Sequence, residues 1–444
     1  MVFSSLLFIL FFLLLTCLLY YLPFGIKYKN AILLVMSIVF YTLGEPRFIW
    51  LILGSSVANY LAGMGIASGK HPKVFLAVIL ILDLSVLILL KYTGIVHSMP
   101  VGLSFYTFQM ISYIVDVYKD PTIVQKNPFL LILYIIFFPQ LIAGPIVKYH
   151  AIQKQLMERT HSVELWVSGC RRFILGLAKK VIIANTTGYM VDYAFSITTH
   201  VTAFTSWTVA ILYCLQIYYD FSGYSDMAIG LGEMFGIHIE ENFCAPYRST
   251  SIKEFWRRWH ISLGTWFRDY LYIPLGGNRK GKMRTYLNKY IVFFATGLWH
   301  GGNLTFILWG LIHGTCAVFE ETNAGKVLHK NKVVAWICTA LVVSITFLVF
   351  RSPDIGTAGK WIMGLFQWKT NSENVKYFTV FTPYRILICL IGLLMSWHER
   401  KTDISEKQGI WKEGISLAAS VFLLLFCIMT LGTESYNPFI YYRF

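Results

Sequence analysis

Charged side chains are scarce in this sequence. Asp, Glu, Lys and Arg together make up 14% of its 444 residues, against about 25% in soluble globular domains. Acidic residues are the scarcer sign, 23 against 38 Lys and Arg, which leaves a formal net charge of +15. With 56% hydrophobic and 17% aromatic residues, the composition argues against a disordered chain, a collagen and a water-soluble enzyme. An integral membrane protein fits it. Long polar stretches are also missing. The longest, near 146–162, 275–290 and 369–377, are too short to bury a core, so residues 1–444 are expected to form one membrane-embedded domain.

Several chemistries lack their signatures. The eight cysteines contain no C-x-x-C pair, so neither a disulfide framework nor a zinc site is suggested, and no metal is expected. There is no G-x-S-x-G elbow, no phosphate loop ending in G-K-[ST] and no H-E-x-x-H. Serine hydrolysis, ATP-driven work and zinc peptidase chemistry therefore have no visible centre. GLGEMFG at 230–236 misses the dinucleotide-binding spacing. No internal repeat of fixed period appears, which weakens a transporter built from two matching halves.

What is present is a series of apolar runs. At roughly 20 residues per crossing, they leave room for about ten to twelve helices with short connections. The expected fold is all-α and polytopic, with roughly 11 transmembrane helices plus re-entrant or interfacial ones. The cations lie in short loops between apolar runs, a positive-inside pattern rather than the solvated basic face of a nucleic-acid binder. Lys27 and Lys29 follow a first run from about Val2 to Phe24 that no charge precedes. This predicts an outside N-terminus and a retained anchor rather than a cleaved signal. Nine cations against Glu254 and Asp269 give the 253–289 segment a local charge of +7. The segment reads as an anchor at the cytoplasmic face, compatible with attraction of a phosphate-bearing donor.

Polar residues inside apolar runs mark where a site can lie. One stretch places Phe105, Gln109, Ser112 and Asp116 at helical spacing, and an apolar run expected over about 205–219 is followed by another, 218–230, that carries Asp220 and Asp226. These carboxylates, and Asp83, are expected to pair or to cap a broken helix more readily than to relay protons. Trp256, Trp259, His260, Leu263 and Phe267 recur at three- and four-residue steps, which predicts one helix with His260 on an aromatic stripe. His300 ends an apolar run and precedes Gly301-Gly302-Asn303, so the helix is expected to break there and let a substrate or a second helix approach the imidazole closely. A neutral histidine in an apolar span can accept and return a proton. His313, thirteen residues on, lies more than half a turn off that face in an unbroken helix and reads as a helix–helix contact.

WRRWHISLGTWFRDYLYIPLGGNRKG (256–281) and GLWHGGNLTFILWGLIHG (297–314) together resemble the membrane-bound O-acyltransferase family, specifically its alginate-type, polysaccharide-acetylating branch. VGLSFYTFQMISYIVDVYK (101–119), LIAGPIVKYH (141–150), YYDFSGYSDMAIGLG (218–232) and ENFCAPYRSTSIKEFWRRWH (241–260) support it in consistent order. The resemblance implies a ring of helices around a central funnel, in a bacterial cell membrane. It implies His300 as catalytic base on an acceptor hydroxyl or a serine relay, and His260 as the residue orienting or polarising the acyl group. It further implies acetyl-CoA as cytoplasmic donor, its phosphates facing Arg257, Arg258 and Arg268. The acceptor would be an exported polysaccharide, with an SGNH-type extracytoplasmic partner. D-alanyl transfer to teichoic acid from a carrier protein is the alternative within the family. A scaffold recruiting a soluble acyltransferase and a polysaccharide transporter are the alternatives outside it.

Overall fold

The computed structural model describes residues 1–96, 99–369, 372–398, 410–433 and 436–439. Among the described residues every regular element is a helix and no strand occurs. Five helices are long and apolar enough to cross a membrane: Ile26–Gly44, Ile49–Ala67, Pro72–Tyr92, Lys332–Arg351 and Trp411–Thr433. A sixth crossing is counted if Ser372–Phe378 and Pro383–Ser396, bent by 81°, form one broken span. Phe8–Tyr20 and Leu304–Phe319 are apolar but shorter. Of the three polar stretches, 146–162 carries the helix Tyr149–Met157 and 369–377 runs into Ser372–Phe378. Residues 370 and 371 lie outside the described set.

The chain folds into two compact units. The first comprises residues 1–177, 224–241 and 417–433. Its centre is the helix Leu103–Lys119, where every side chain but Val115, Tyr118 and Lys119 is buried, Phe105, Gln109, Ser112 and Asp116 among them. Carboxylates inside this unit are partnered, as their desolvation requires. Asp83 accepts a hydrogen bond from Asn59 Nδ2 at 3.0 Å, and Asp116 meets His150 Nδ1 at 2.8 Å. Arg172, 5% exposed, pairs with Asp226 at 2.9 Å and Glu241 at 2.5 Å, with Glu233 at 3.7 Å.

The second unit comprises residues 178–223, 242–416 and 434–444. It holds a buried aromatic and aliphatic core that includes Tyr213, Tyr218, Phe255, Trp259, Trp309 and Phe347. Lys180 lies on a π-helical stretch, Lys179–Ala184, and pairs with Asp220 at 2.7 Å, both side chains at most 3% exposed. Lys180 also donates to Asn185 Oδ1 at 2.8 Å and to the Pro438 carbonyl. The same short C-terminal stretch places Asn437 against Asn185 and Tyr436 on Asp192, which in turn holds Arg351.

One boundary differs from the sequence pattern. The apolar run expected to stop near residue 219 continues as a single helix, Ala203–Met234. Its polar residues do not break it, because Asp220 and Asp226 each have a cation partner and the serines fall on buried turns.

Removing one member of the Lys180–Asp220 pair strands a buried charge. Asp220→Asn is expected to destabilise the second unit by about 3–5 kcal/mol. The double change Lys180→Met/Asp220→Leu is expected to cost less, and thermal unfolding of the detergent-solubilised full chain compares them.

Candidate active site

His260 and His300 both belong to the second unit. The local sequence brings His260 into place through two short helices rather than one. Ser251 caps the first, Ile252–Arg258, by accepting from the Glu254 N–H at 2.9 Å. The Glu320 carboxylate accepts the N–H groups of Ile252 and Lys253 at the same helix end, where a negative charge is favoured. The helix stops at Arg258, Trp259 is extended, and His260 takes a left-handed backbone, φ 46° and ψ 53°, before Ile261–Phe267 begins. This corrects the single continuous stripe read from the spacing. The break is fixed by the strand-like pairing of Cys244 N–H with Arg258 O and of Ile261 N–H with Asn242 O, both 3.0 Å. A left-handed non-glycine residue costs about 1–2 kcal/mol and persists only where its surroundings hold it.

Those surroundings are aromatic. Trp259 is packed among Phe243, Phe255, Tyr218 and Phe347. The His260 ring, in a residue 1% exposed, meets Phe221 edge-on at 4.6 Å and lies 6.0 Å from Trp299. Its Nδ1 has two polar contacts, Asn242 Oδ1 at 3.2 Å and Ser262 Oγ at 3.4 Å.

His300 is the last residue of the helix Lys282–His300, as the following glycine pair predicts. A side chain at Gly301 would strike the Phe306 ring, 2.8 Å from a Cβ there. Asn303 then caps the next helix, Leu304–Phe319, through the Thr305 N–H. The chain folds back, and the two helices touch backbone to backbone. A Cβ at Gly297 would fall 2.5 Å from the Phe306 carbonyl oxygen, and one at Gly310 would overlap that of Phe293. This close approach sets the His300 ring, in a residue 6% exposed, against Trp309 at 5.3 Å, Phe350 at 5.1 Å and Trp299 at 4.8 Å.

Trp299 is thus a ring neighbour of both His260 and His300, and Trp309 of both His300 and His313. His313 is saturated. Trp256 Nε1–H donates to its Nδ1 at 3.2 Å, so Nε2 carries the hydrogen and donates to Thr346 Oγ1 at 3.0 Å. It is a structural histidine at the helix contact.

The three arginines differ in their freedom. Arg257 is exposed. Arg258 is held by Glu254 at 3.0 Å and donates to the Cys244 carbonyl. Arg268, also exposed, is paired with Asp269 at 2.7 Å. Among the described residues no group of three or more His, Cys, Asp or Glu side chains is arranged to hold a metal ion. The sequence pattern did not single out Asn242, Glu320 or Trp309. Asn242 and Trp309 lie within the resembling segments, but nothing in their spacing marks them.

A model of the membrane-bound O-acyltransferase family matches residues 120–324. The chain is also 41% identical to "Probable alginate O-acetylase AlgI" of Pseudomonas aeruginosa, over 100% of both chains. The chain belongs to the membrane-bound O-acyltransferase family. It is thus an acyltransferase and a multi-pass membrane protein. This membrane-bound O-acyltransferase is 29% identical to the peptidoglycan O-acetyltransferase of Helicobacter pylori, over 93% of this chain and 91% of the relative. It is 30% identical to the teichoic acid D-alanyltransferase of Bacillus subtilis, over 55% of this chain and 65% of the relative.

The helix hairpin carrying His300 has no room for added bulk. Gly310→Leu is expected to destabilise this acyltransferase by about 1–3 kcal/mol through overpacking and to lower acyl transfer in parallel. Gly359→Ala, where a Cβ meets nothing within 4 Å, is expected to change neither. Thermal unfolding and transfer assays on the same preparations test the pair.

Proposed function

We propose that this acyltransferase moves an acetyl group from cytoplasmic acetyl-CoA to hydroxyls of an exported polysaccharide, directly or through an SGNH-type extracytoplasmic partner. The observation that carries the reading is that two buried histidine rings, His260 and His300, share Trp299 as a ring neighbour. His300 takes the proton of the acceptor hydroxyl as its oxygen attacks the thioester carbonyl. The carbon–sulfur bond then breaks, and the proton passes to the leaving coenzyme A thiolate. His260 lies beside the acyl group and orients the reactants. The whole chain works as one acyltransferase domain with about eleven crossings around a central funnel. Helices with many polar residues complete that number, because they face the interior rather than lipid.

Arg257 is the arginine best placed to meet the donor's phosphates, being exposed. Arg258 and Arg268 join it by exchanging Glu254 and Asp269 for phosphate. Acetate is favoured over D-alanine because the O-acetylating relatives match 93–100% of this chain, whereas the D-alanyltransferase matches 55%. The family's enzymatic character stands against a pure scaffold or a transporter.

Base-labile acetate on exported glycans is measured in intact, gene-deleted and His300→Ala strains with equal protein and glycan. Loss in both mutants is expected, with a drop of roughly 100- to 10,000-fold for His300→Ala. Acetylation that survives His300→Ala removes His300 from the chemistry, and D-alanine esters lost in place of acetate reassign the acyl group. For Arg257→Ala, the KM for acetyl-CoA is expected to rise up to about fivefold, the worth of one exposed charge contact, at unchanged kcat.

A further inference from the structure

We infer that Asn242 is a positioning residue that fixes the tautomer of His260, so that His260 meets the substrate only as a hydrogen-bond acceptor. The inference rests on the reading of His260 as part of the active site and decides between the orienting and polarising roles left open for it.

The amide orientation comes first. Asn242 presents one atom to the Ser262 backbone N–H at 3.1 Å and to the Ser262 hydroxyl at 2.9 Å. A backbone N–H can only donate, so that atom is the carbonyl oxygen Oδ1. His260 Nδ1 faces the same oxygen at 3.2 Å and must therefore carry the ring hydrogen. In the neutral imidazole, Nε2 is then a bare lone pair. It is buried and has no hydrogen-bond partner among the described residues. It sits on a residue held in a left-handed backbone, the kind of outlier that clusters at functional sites.

A lone pair cannot polarise an acyl carbonyl, which needs a donor. It can hold an N–H or O–H group of the substrate. Two sources offer that chemistry, an amide N–H of the donor's pantetheine arm and a hydroxyl of the acceptor glycan. Among the described residues the ring neighbours of His260 are Phe221 and Trp299, and its polar neighbours Asn242 and Ser262, none of them charged. The titratable groups on the elements packed around it are Tyr213, Cys214, Tyr218, Tyr219, Asp220, Tyr224, Asp226 and Glu233 on the Ala203–Met234 helix, and Lys253, Glu254, Arg257 and Arg258 before it. Arg268 follows the next helix, and the helix bearing Trp299 carries Lys282, Arg284, Tyr286, Lys289, Tyr290 and His300. Asp220 is bound to Lys180 and Arg258 to Glu254.

Membranes containing the full chain are supplied with radiolabelled acetyl-CoA over a range of concentration and pH, and base-labile label on their polysaccharide is counted. Asn242→Ala is expected to lower the rate roughly 10- to 100-fold, the usual loss when an orienting partner is removed. Asn242→Asp keeps the acceptor for both Nδ1 and Ser262, so activity returns at alkaline pH. Its carboxylate favours the imidazolium, in which Nε2 becomes a donor. The acid limb of the pH profile therefore moves roughly one to three units higher. A purely structural asparagine gives no such movement. A raised KM for acetyl-CoA in Asn242→Ala places a donor N–H on Nε2, and a lowered kcat at unchanged KM places the acceptor hydroxyl there. An Asn242→Asp profile that superimposes on the wild type, or full activity of Asn242→Ala, overturns the inference. Full activity of His260→Ala instead removes His260 from the site, which sinks the underlying reading separately.

Discussion

The backbone of Gly297 lies against the Phe306 carbonyl, and the backbone of Gly310 against that of Phe293. The arrangement around His300 depends on that approach. Two helices separated by ordinary side chains sit about 8–10 Å apart; glycine at both crossing points lets these two close in. Trp309 is thereby brought into contact with both His300 and His313. The imidazole is not set by its own helix alone. It is placed by the neighbouring helix, through aromatic rings that exclude water and keep the surrounding dielectric low.

Three histidines in one unit show how differently the same side chain can be held. His313 has both ring nitrogens engaged, by Trp256 and Thr346, and behaves as a hydrogen-bonded spacer in the packing. Among the described residues His260 has one nitrogen engaged, by Asn242, and one left open. The difference lies in the supporting residues and not in burial, since both histidines are nearly inaccessible. Acidic residues follow a stricter rule. Asp83, Asp116, Asp220 and Asp226 each have a polar or cationic partner within their own unit, which is what a low-dielectric interior demands of an ionisable group.

Composition and hydropathy were enough to expect a helical membrane protein, because the apolar share and the scarcity of charge leave no other solvent for this chain. The helix end at His300 was legible too, since an apolar run that meets Gly-Gly-Asn has a natural place to break. His260 was found as a residue but misplaced as a conformation. Spacing alone reports periodicity, and a three-four pattern survives even when two short helices meet at a left-handed residue. Asn242 was invisible for a different reason: its role depends on a fold-back that pairs residues 242–244 with 258–261, and no local pattern encodes that. The run ending in Asp220 and Asp226 was cut short because sequence shows the charges and hides their partners, Lys180 and Arg172.

The contact between Lys180 and the Pro438 carbonyl spans 258 residues of chain. At about 5–20 residues per second of synthesis, that carbonyl emerges roughly 13 to 52 s after the lysine it serves. Asn185 and Asp220 arrive within a few seconds, so the charge is neutralised early, while the Pro438 carbonyl follows much later. The second unit is thus assembled around a lysine that waits for one of its polar partners. Until that carbonyl arrives, the open position lies on the partner of Asp220, one residue along the chain from Phe221, the ring that meets His260.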